Sequence, residues 1–175
     1  MVITLQPFAA EDIPRLASWI DSVPAMVQWA AGTFAYPVDE EQLSRHFALT
    51  QGKAPVLRMF RVMDADKGEV VGHIELGAID RANRTCTLSR VLVRPGCRGG
   101  GIGTEMVRAV LRVAFGEMGL HRVELRVFSF NEPAIRCYER CGFRREGLLR
   151  DTRIVEGRYW SSCVMGILED EWHDR

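Results

Sequence analysis

Between Val91 and Val107 the chain reads VLVRPGCRGGGIGTEMV: a short β-branched run, then Gly96, Gly99, Gly100, Gly101 and Gly103, then a helical pattern. Glycine loses more backbone freedom on folding than any other residue, so five of them close together need a reason. A surface turn is made with about two. The order strand, glycine loop, helix does more than turn the chain. It sets bare backbone N–H groups at the positive end of a helix dipole, an arrangement that takes up phosphate. Two widespread phosphate loops do not fit. No Lys precedes Thr104, so GxxxxGK[ST] is absent, and a dinucleotide fingerprint begun at Gly99 and Gly101 meets Thr104 where its third glycine belongs.

The rest of the chain reads as one α/β domain around that loop. Helices are expected over AEDIPRLASWIDS, with Asp12 as cap and Pro14 in the first turn, and over VDEEQLSRHFALT, with Leu43, Phe47 and Leu49 on one side. Between them, VPAMVQWAAGTFAYP reads as an irregular aromatic connection carrying Trp29, Phe34 and Tyr36, and the first quarter as a whole reads as helical. VLRMFRVMD and EVVGHIELGAI make a hairpin across DADKG, and RTCTLSRVLVRP is the next strand. Met106, Val107, Val110, Leu111, Ala114, Phe115 and Met118 recur at helical spacing up to Gly119. HRVELRVFSF alternates as a strand. NEPAIRCYERCG is a short helix with Asn131 at its cap, Pro133 in its first turn and Gly142 beyond its end. The chain closes with a hairpin turning near Glu156-Gly157.

Charge and cysteine usage limit the partners. Lys plus Arg (23) equal Asp plus Glu (23), which argues against nucleic acid and against an anionic membrane surface. MVITLQPFAAEDIP has neither the basic nor the apolar region of a signal peptide, and no apolar run reaches membrane-spanning length. Five scattered cysteines suit a reducing cytoplasm better than a disulfide framework. Cys137 and Cys141 stand at i, i+4, but no CxxC pair or HExxH accompanies them. His46, His73, His121 and His173 are far apart, so no metal is expected and most cysteines are read as small buried hydrophobes.

Two motifs carry a resemblance. The first is Arg98-x-x-Gly101-x-Gly103 after VLVRP. The second is NEPAIRCYERCGF, with Asn131, Tyr138 seven residues on, then Gly142-Phe143. In this order, one helix and one strand apart, they resemble the signatures of the GNAT superfamily of acetyl-CoA-dependent N-acetyltransferases. The branch is that of the ribosomal-protein N-terminal and spermidine N-acetyltransferases, and the resemblance covers roughly Arg58 to Trp172. It implies a single N-acetyltransferase domain over residues 1–175, of class α/β (α+β). Its sheet would be mixed and mostly antiparallel, with a splayed central strand pair and flanking helices. Acetyl-CoA is then the cosubstrate. Its pyrophosphate would meet the main-chain amides of Gly99, Gly100, Gly101, Ile102, Gly103 and Thr104, next to Arg98. Its pantetheine arm would pair along Val91, Leu92 and Val93, with Asn131 also touching the coenzyme.

Acyl transfer to an amine needs a neutral amine, a stabilised oxyanion and a leaving thiolate that can take a proton. The resemblance makes a backbone N–H near Leu92 or Val93 the oxyanion donor and Tyr138 the acid. Ribosomal-protein acetyltransferases carry a Glu five residues before the Asn; Arg126 stands there in this chain. Glu75 is the best alternative base, because it shares a strand face with His73 in an otherwise apolar run; Asp80 and Ser89 are weaker. The acceptor is left open among a protein N-terminus, a polyamine and another small amine. Asp39, Glu40 and Glu41 suit a polyamine, and equally suit a helix start. The resemblance also admits a homodimer. The other reading is a non-catalytic acyl-CoA-binding module, which would need neither Tyr138 nor the splayed strand.

Overall fold

In the computed structural model, which describes residues 2–173, seven strands form one sheet. They are β1 (Ile3–Pro7), β2 (Arg58–Asp64), β3 (Glu69–Asp80), β4 (Thr85–Val93), β5 (Arg122–Phe128), β6 (Arg144–Val155) and β7 (Arg158–Leu168), in the spatial order β1-β2-β3-β4-β5-β7-β6. Every neighbouring pair is antiparallel except β4 and β5. The helices are α1 (Ile13–Ala17), α2 (Val23–Ala30), α3 (Glu40–Phe47), α4 (Ile102–Leu111) and α5 (Glu132–Arg140). The expected architecture, a mixed and mostly antiparallel sheet with flanking helices, is the one found.

Three elements depart from the sequence reading. The first quarter is not wholly helical, because Ile3–Pro7 pairs with β2 at the edge of the sheet. Nor is Val23–Ala30 an irregular connection. It is a helix with an ordinary start: the Ser22 hydroxyl accepts the Ala25 N–H at 3.3 Å, and Pro24 occupies the first turn. The helix expected to run to Gly119 is α-helical only to Leu111 and continues as a π-helical stretch over Arg112–Glu117.

Strand alternation sends successive side chains into two cores on opposite faces of the sheet. Phe60, Ile74 and Leu76 pack with Met106, Val110 and Leu111 of α4 and Ile135 of α5. Met59 packs instead with Leu16, Trp29 and Leu43 of α1 to α3. Gly72 on β3 lets α4 come close: a Cβ there would sit 2.8 Å from both the Leu92 carbonyl oxygen and the Met106 side chain.

β4 and β5 part company along their length. Their parallel register runs only over Thr85↔Arg122, Cys86↔Val123 and Thr87↔Glu124. From Leu88 on, β4 stays with β3, while β5 continues to Phe128 against β7. The cause is local. Arg90 adopts a left-handed conformation (φ 48°), and the β3–β4 register shifts between His73↔Leu92 and Glu75↔Ser89, so β4 carries an extra residue there. Such a bulge bends and twists its strand. A wedge opens between the two central strands.

Candidate active site

The glycine loop runs from the end of β4 into α4. Gly99 (φ +92°) and Gly101 (φ +80°) are left-handed, and Gly101 caps the helix. The Thr104 N–H bonds the Gly101 oxygen at 3.0 Å, so the amides of Ile102 and Gly103 belong to the first turn, which has no intrahelical acceptor to use. A Cβ added at Gly99, Gly100 or Gly101 would meet nothing within 4 Å, so this stretch offers bare backbone outward. That geometry fits a pyrophosphate. Arg98 is exposed at the loop's start.

The wedge leads away from the loop. Val93 lies beside it, 3.8 Å from where a Cβ of Gly103 would stand. Val91 and Val93 pack on the α4 face of the sheet, and Leu92 on the other. The edge of β4 that β5 leaves uncovered beyond Thr87 therefore belongs to the expected pantetheine residues.

α5 supplies the second motif. Asn131 Oδ1 accepts the Ala134 N–H at 3.3 Å, which starts the helix and so fixes where Tyr138 falls two turns later. Tyr138 is 9% exposed, in the same core as Ile102, and packs edge-on against Phe143 with ring centroids 5.8 Å apart. Burial, with smaller contributions from Cys137 and Cys141, raises its pKa above the ordinary phenol value. A phenol so placed keeps its proton at neutral pH, as an acid must.

Glu75 is the surprise of the site. It is fully buried, and three cationic or hydrogen-bearing groups converge on it. His46 Nε2 of α3 lies 2.9 Å from Oε2, His73 Nε2 lies 2.8 Å from Oε1, and an Arg90 guanidinium nitrogen donates to Oε2 at 2.8 Å. Burial alone would lift its pKa. The bonds from His46 and His73, with the charges of His73 and Arg90, outweigh burial and bring it down to about 2. A carboxylate held that low is a weak acceptor for a proton from an amine of pKa about 10.4. This weighs against the expected role of Glu75 as base, and its contacts place it to position two imidazoles and an arginine. The weaker candidates fare no better as bases. Asp80 is held low by the Asn83 backbone N–H and side chain, and Ser89 is a partner of Arg90.

Arg90 joins this cluster to the first quarter of the chain. It donates to Thr33 Oγ1 at 2.9 Å, its carbonyl accepts Trp29 Nε1–H at 3.0 Å, and its guanidinium lies over the Phe34 ring. His46 and Arg90 were not foreseen. The signal for His46 was its place beside Leu43 on the buried side of α3; Arg90 gave none, since a bulge position is not marked by residue type here. Among the described residues, His73 Nδ1 and Arg90 Nε are buried without a hydrogen-bond partner.

Glu75 and Tyr138 face opposite sides of the sheet. One bonds to His46 of α3, while the other lies in the core with α4. The acids proposed for a polyamine are partly engaged: Asp39 caps α3 through the Gln42 N–H at 2.8 Å, and Glu41 pairs with Arg45 at 2.9 Å. Cys86 and Cys163 are buried in the core below α4, Cys97, Cys137 and Cys141 are partly buried against it, and all five are free. Among the described residues, no cluster of three His, Cys, Asp or Glu side chains could hold a metal ion, and no helix is long and apolar enough to cross a membrane.

Comparison with known proteins places this geometry. The sequence matches the acetyltransferase (GNAT) family over residues 23–143. It is 31% identical over 118 residues to the spermidine N(1)-acetyltransferase of Vibrio cholerae, covering 67% of each chain. It is 35% identical over 113 residues to the SPbeta prophage-derived uncharacterized N-acetyltransferase YokL of Bacillus subtilis, covering 65% of this chain and 63% of that one. The match thus spans about two thirds of these relatives' length. The crystal structure of the Vibrio cholerae spermidine N-acetyltransferase in complex with CoA and spermine superimposes with a TM-score of 0.85 at 25% identity, over 97% of this chain and 96% of that one.

Proposed function

The chain belongs to the GNAT family of acetyltransferases, acetyl-CoA-dependent enzymes, and from that premise we propose that it transfers the acetyl group to a primary amine, with polyamines as the first acceptor class. The observation that carries this reading is the junction of the bare loop Gly99–Thr104 with the wedge beyond Thr87. Pyrophosphate at the start of α4 directs the pantetheine along Val91, Leu92 and Val93, which brings the thioester into the wedge. The amine nitrogen attacks the thioester carbon directly, in a complex holding both substrates. A backbone N–H at Leu92 or Val93 stabilises the oxyanion, and Tyr138 gives its proton to the departing thiolate.

No side chain is assigned as base. A Lys-like amine costs about 4 kcal/mol to deprotonate at pH 7.4 and an α-amine under about 1 kcal/mol, so the neutral fraction of the substrate suffices for a slow or an α-amine reaction. The polyamine assignment is supported by the relatives that carry the name spermidine N-acetyltransferase. A second reading, an acceptor amine such as a protein N-terminus, is favoured by one observation. Arg90, rather than a free carboxylate, is the charged group of the buried cluster that keeps partial exposure.

The domain assignment extends the reading over residues 1–175, of which 1, 174 and 175 lie outside the described residues. The proposal places the enzyme in the cytoplasm, and a homodimer would form through the outer strand β6, where Leu148 and Ile154 are exposed. The deciding experiment follows free thiol release from acetyl-CoA with spermidine, spermine, amino acids, aminoglycosides and N-terminal peptides. Release with spermidine or spermine above all others supports the polyamine class. Release with peptides alone moves the acceptor to the second reading. CoA binding with no release on any amine leaves an acyl-CoA-binding module.

A further inference from the structure

Cys137 and Cys141 stand one turn apart on the face of α5 that meets the glycine loop, and both are partly buried. Their sulfurs hold the same residue of the facing helix. Cys137 Sγ lies 3.4 Å from Thr104 Oγ1, and the Cys141 thiol donates to the Thr104 carbonyl oxygen at 3.6 Å. Arg140 donates to Thr104 Oγ1 as well, at 3.4 Å. Thr104 makes an early intrahelical bond of α4, to Gly101, and a Cβ on Gly103 would come within 3.6 Å of Cys137 Sγ. The thiol pair therefore buttresses the loop from beneath.

The surroundings separate the two thiols chemically. At Cys137 the neighbouring Cys141 thiol is the leading influence. With the Thr104 hydroxyl and the charges of Arg140 and Arg108 it overcomes burial and brings the pKa down to about 6. The neighbouring Cys137 sulfur, with burial, pushes Cys141 up. A thiolate in a cationic, partly open setting beside a second thiol is the arrangement of a peroxide-sensitive cysteine with a resolving partner. Residues four apart on a helix have Cα atoms about 6 Å apart, inside the range of a disulfide. Their Cβ atoms are about 5–6 Å apart, so the backbone must move for these to close to about 4 Å. Cys141 caps the end of α5, with left-handed Gly142 after it, so the second half of the pair sits where the helix can yield.

We propose that Cys137 and Cys141 are a redox-modified pair that controls coenzyme binding. The Cys137 thiolate attacks a hydroperoxide; the O–O bond breaks, an S–O bond forms, and the alkoxide or hydroxide leaves with a proton from solvent. The Cys141 thiol loses its proton and attacks the Cys137 sulfur, the S–O bond breaks, and hydroxide leaves as water. Two thiols are oxidised to one disulfide and the peroxide is reduced. A sulfur–sulfur bond of about 2.05 Å draws both atoms away from Thr104 and removes two supports of the loop. The oxidation itself stands on the pair alone; its effect on coenzyme rests on the loop being the coenzyme site.

The test uses the whole protein, reduced and then treated with hydrogen peroxide, in wild-type and Cys97→Ser forms so that the loop thiol does not confuse the mapping. Iodoacetamide should label Cys137 first, with a rate that inflects near pH 6. Peroxide should remove two hydrogens from the intact mass and link the Cys137 and Cys141 side chains in the peptide map. Calorimetric affinity for CoA should fall by about tenfold or more and return with dithiothreitol. Cys141→Ser should stop at a sulfenic acid that dimedone traps. Labelling of Cys137 no faster than of Cys97 overturns the proposal, and so does a mapped disulfide with unchanged CoA affinity. If the reduced protein ignores CoA, the coenzyme reading fails and takes the control of binding with it, while the mapping still decides whether the pair oxidises.

Discussion

His46 of α3 and Glu75 of β3 meet at 2.9 Å across 29 residues of sequence, and this bond fastens the helices of the first quarter to the middle of the sheet. His73 and Arg90 complete the grip on the same carboxylate. A fully buried anion is tolerated only where its partners restore what water gave, and removing one member of such a set leaves the others uncompensated.

The stability of the fold should therefore depend on Glu75 and on acid. Its pKa falls from 4.5 to about 2 in the folded protein, so its contribution is complete above about pH 5 and is lost as pH drops through 4.5 toward 2. Glu75→Gln should destabilise the protein at pH 7 by about 3–5 kcal/mol, because the mostly buried Arg90 guanidinium is left beside a neutral amide. It should also flatten the acid dependence. Urea unfolding of both proteins at about pH 7 and about pH 4 measures this, and equal losses between the two pH values would show that Glu75 is not the group responsible.

Coenzyme A should stabilise the reduced protein by about 2.7 kcal/mol at a hundredfold excess over Kd. Gly101→Val should lose most of that shift. Free space surrounds the Gly101 Cβ position, so the damage comes from its φ of +80°, which a β-branched residue resists, and from a side chain standing where phosphate would lie. A thermal melt that millimolar CoA does not move would remove the loop assignment.

Tyr138→Phe should lower kcat by roughly ten- to ten-thousandfold and leave KM for acetyl-CoA nearly unchanged. The variant keeps the ring against Phe143, so the fold should hold. Steady-state rates with saturating acetyl-CoA decide it. An unchanged kcat would make the phenol a packing residue.

With no protein base, kcat/KM should rise with pH along the acceptor's own titration, toward about pH 10 for a polyamine and levelling near about pH 8 for an α-amine. A folded Glu75→Gln protein should follow the same profile with a uniform offset. Recovery of the variant toward wild type at high pH would instead restore Glu75 to the role of base.

Where a local rule governed, the sequence was readable. The cap at Asn131, Pro133 in the first turn and Gly142 beyond the end each act within one helix, and α5 lies where they put it. The alternation of Val123, Leu125 and Val127 needs only a pleated strand with one buried side, and the turn at Glu156-Gly157 needs only residues that accept positive φ. Two elements escaped because their signals were short or crowded. β1 has five residues at a sheet edge, too few for alternation to stand out. α2 sits in a segment whose Trp29, Phe34 and Tyr36 read as an aromatic connection, which masked its Ser22 and Pro24 start.

The sequence by itself determined the loop, the helix it opens and the spacing from Asn131 to Tyr138, because glycine conformations, caps and helical periodicity are settled within a few residues. It also placed His73 and Glu75 on one strand face. Only the tertiary structure decided what that face meets. Glu75 became a buried anion because α3 brought His46 to it and the bulge at Arg90 turned a guanidinium inward, contacts that join residues 29 and 15 positions away. A carboxylate's pKa is set by burial and by the charges around it, and neither is a property of neighbouring letters. The same holds for Cys137, whose pKa is lowered by Cys141 and Arg140 on its own helix and by Thr104 and Arg108 on another.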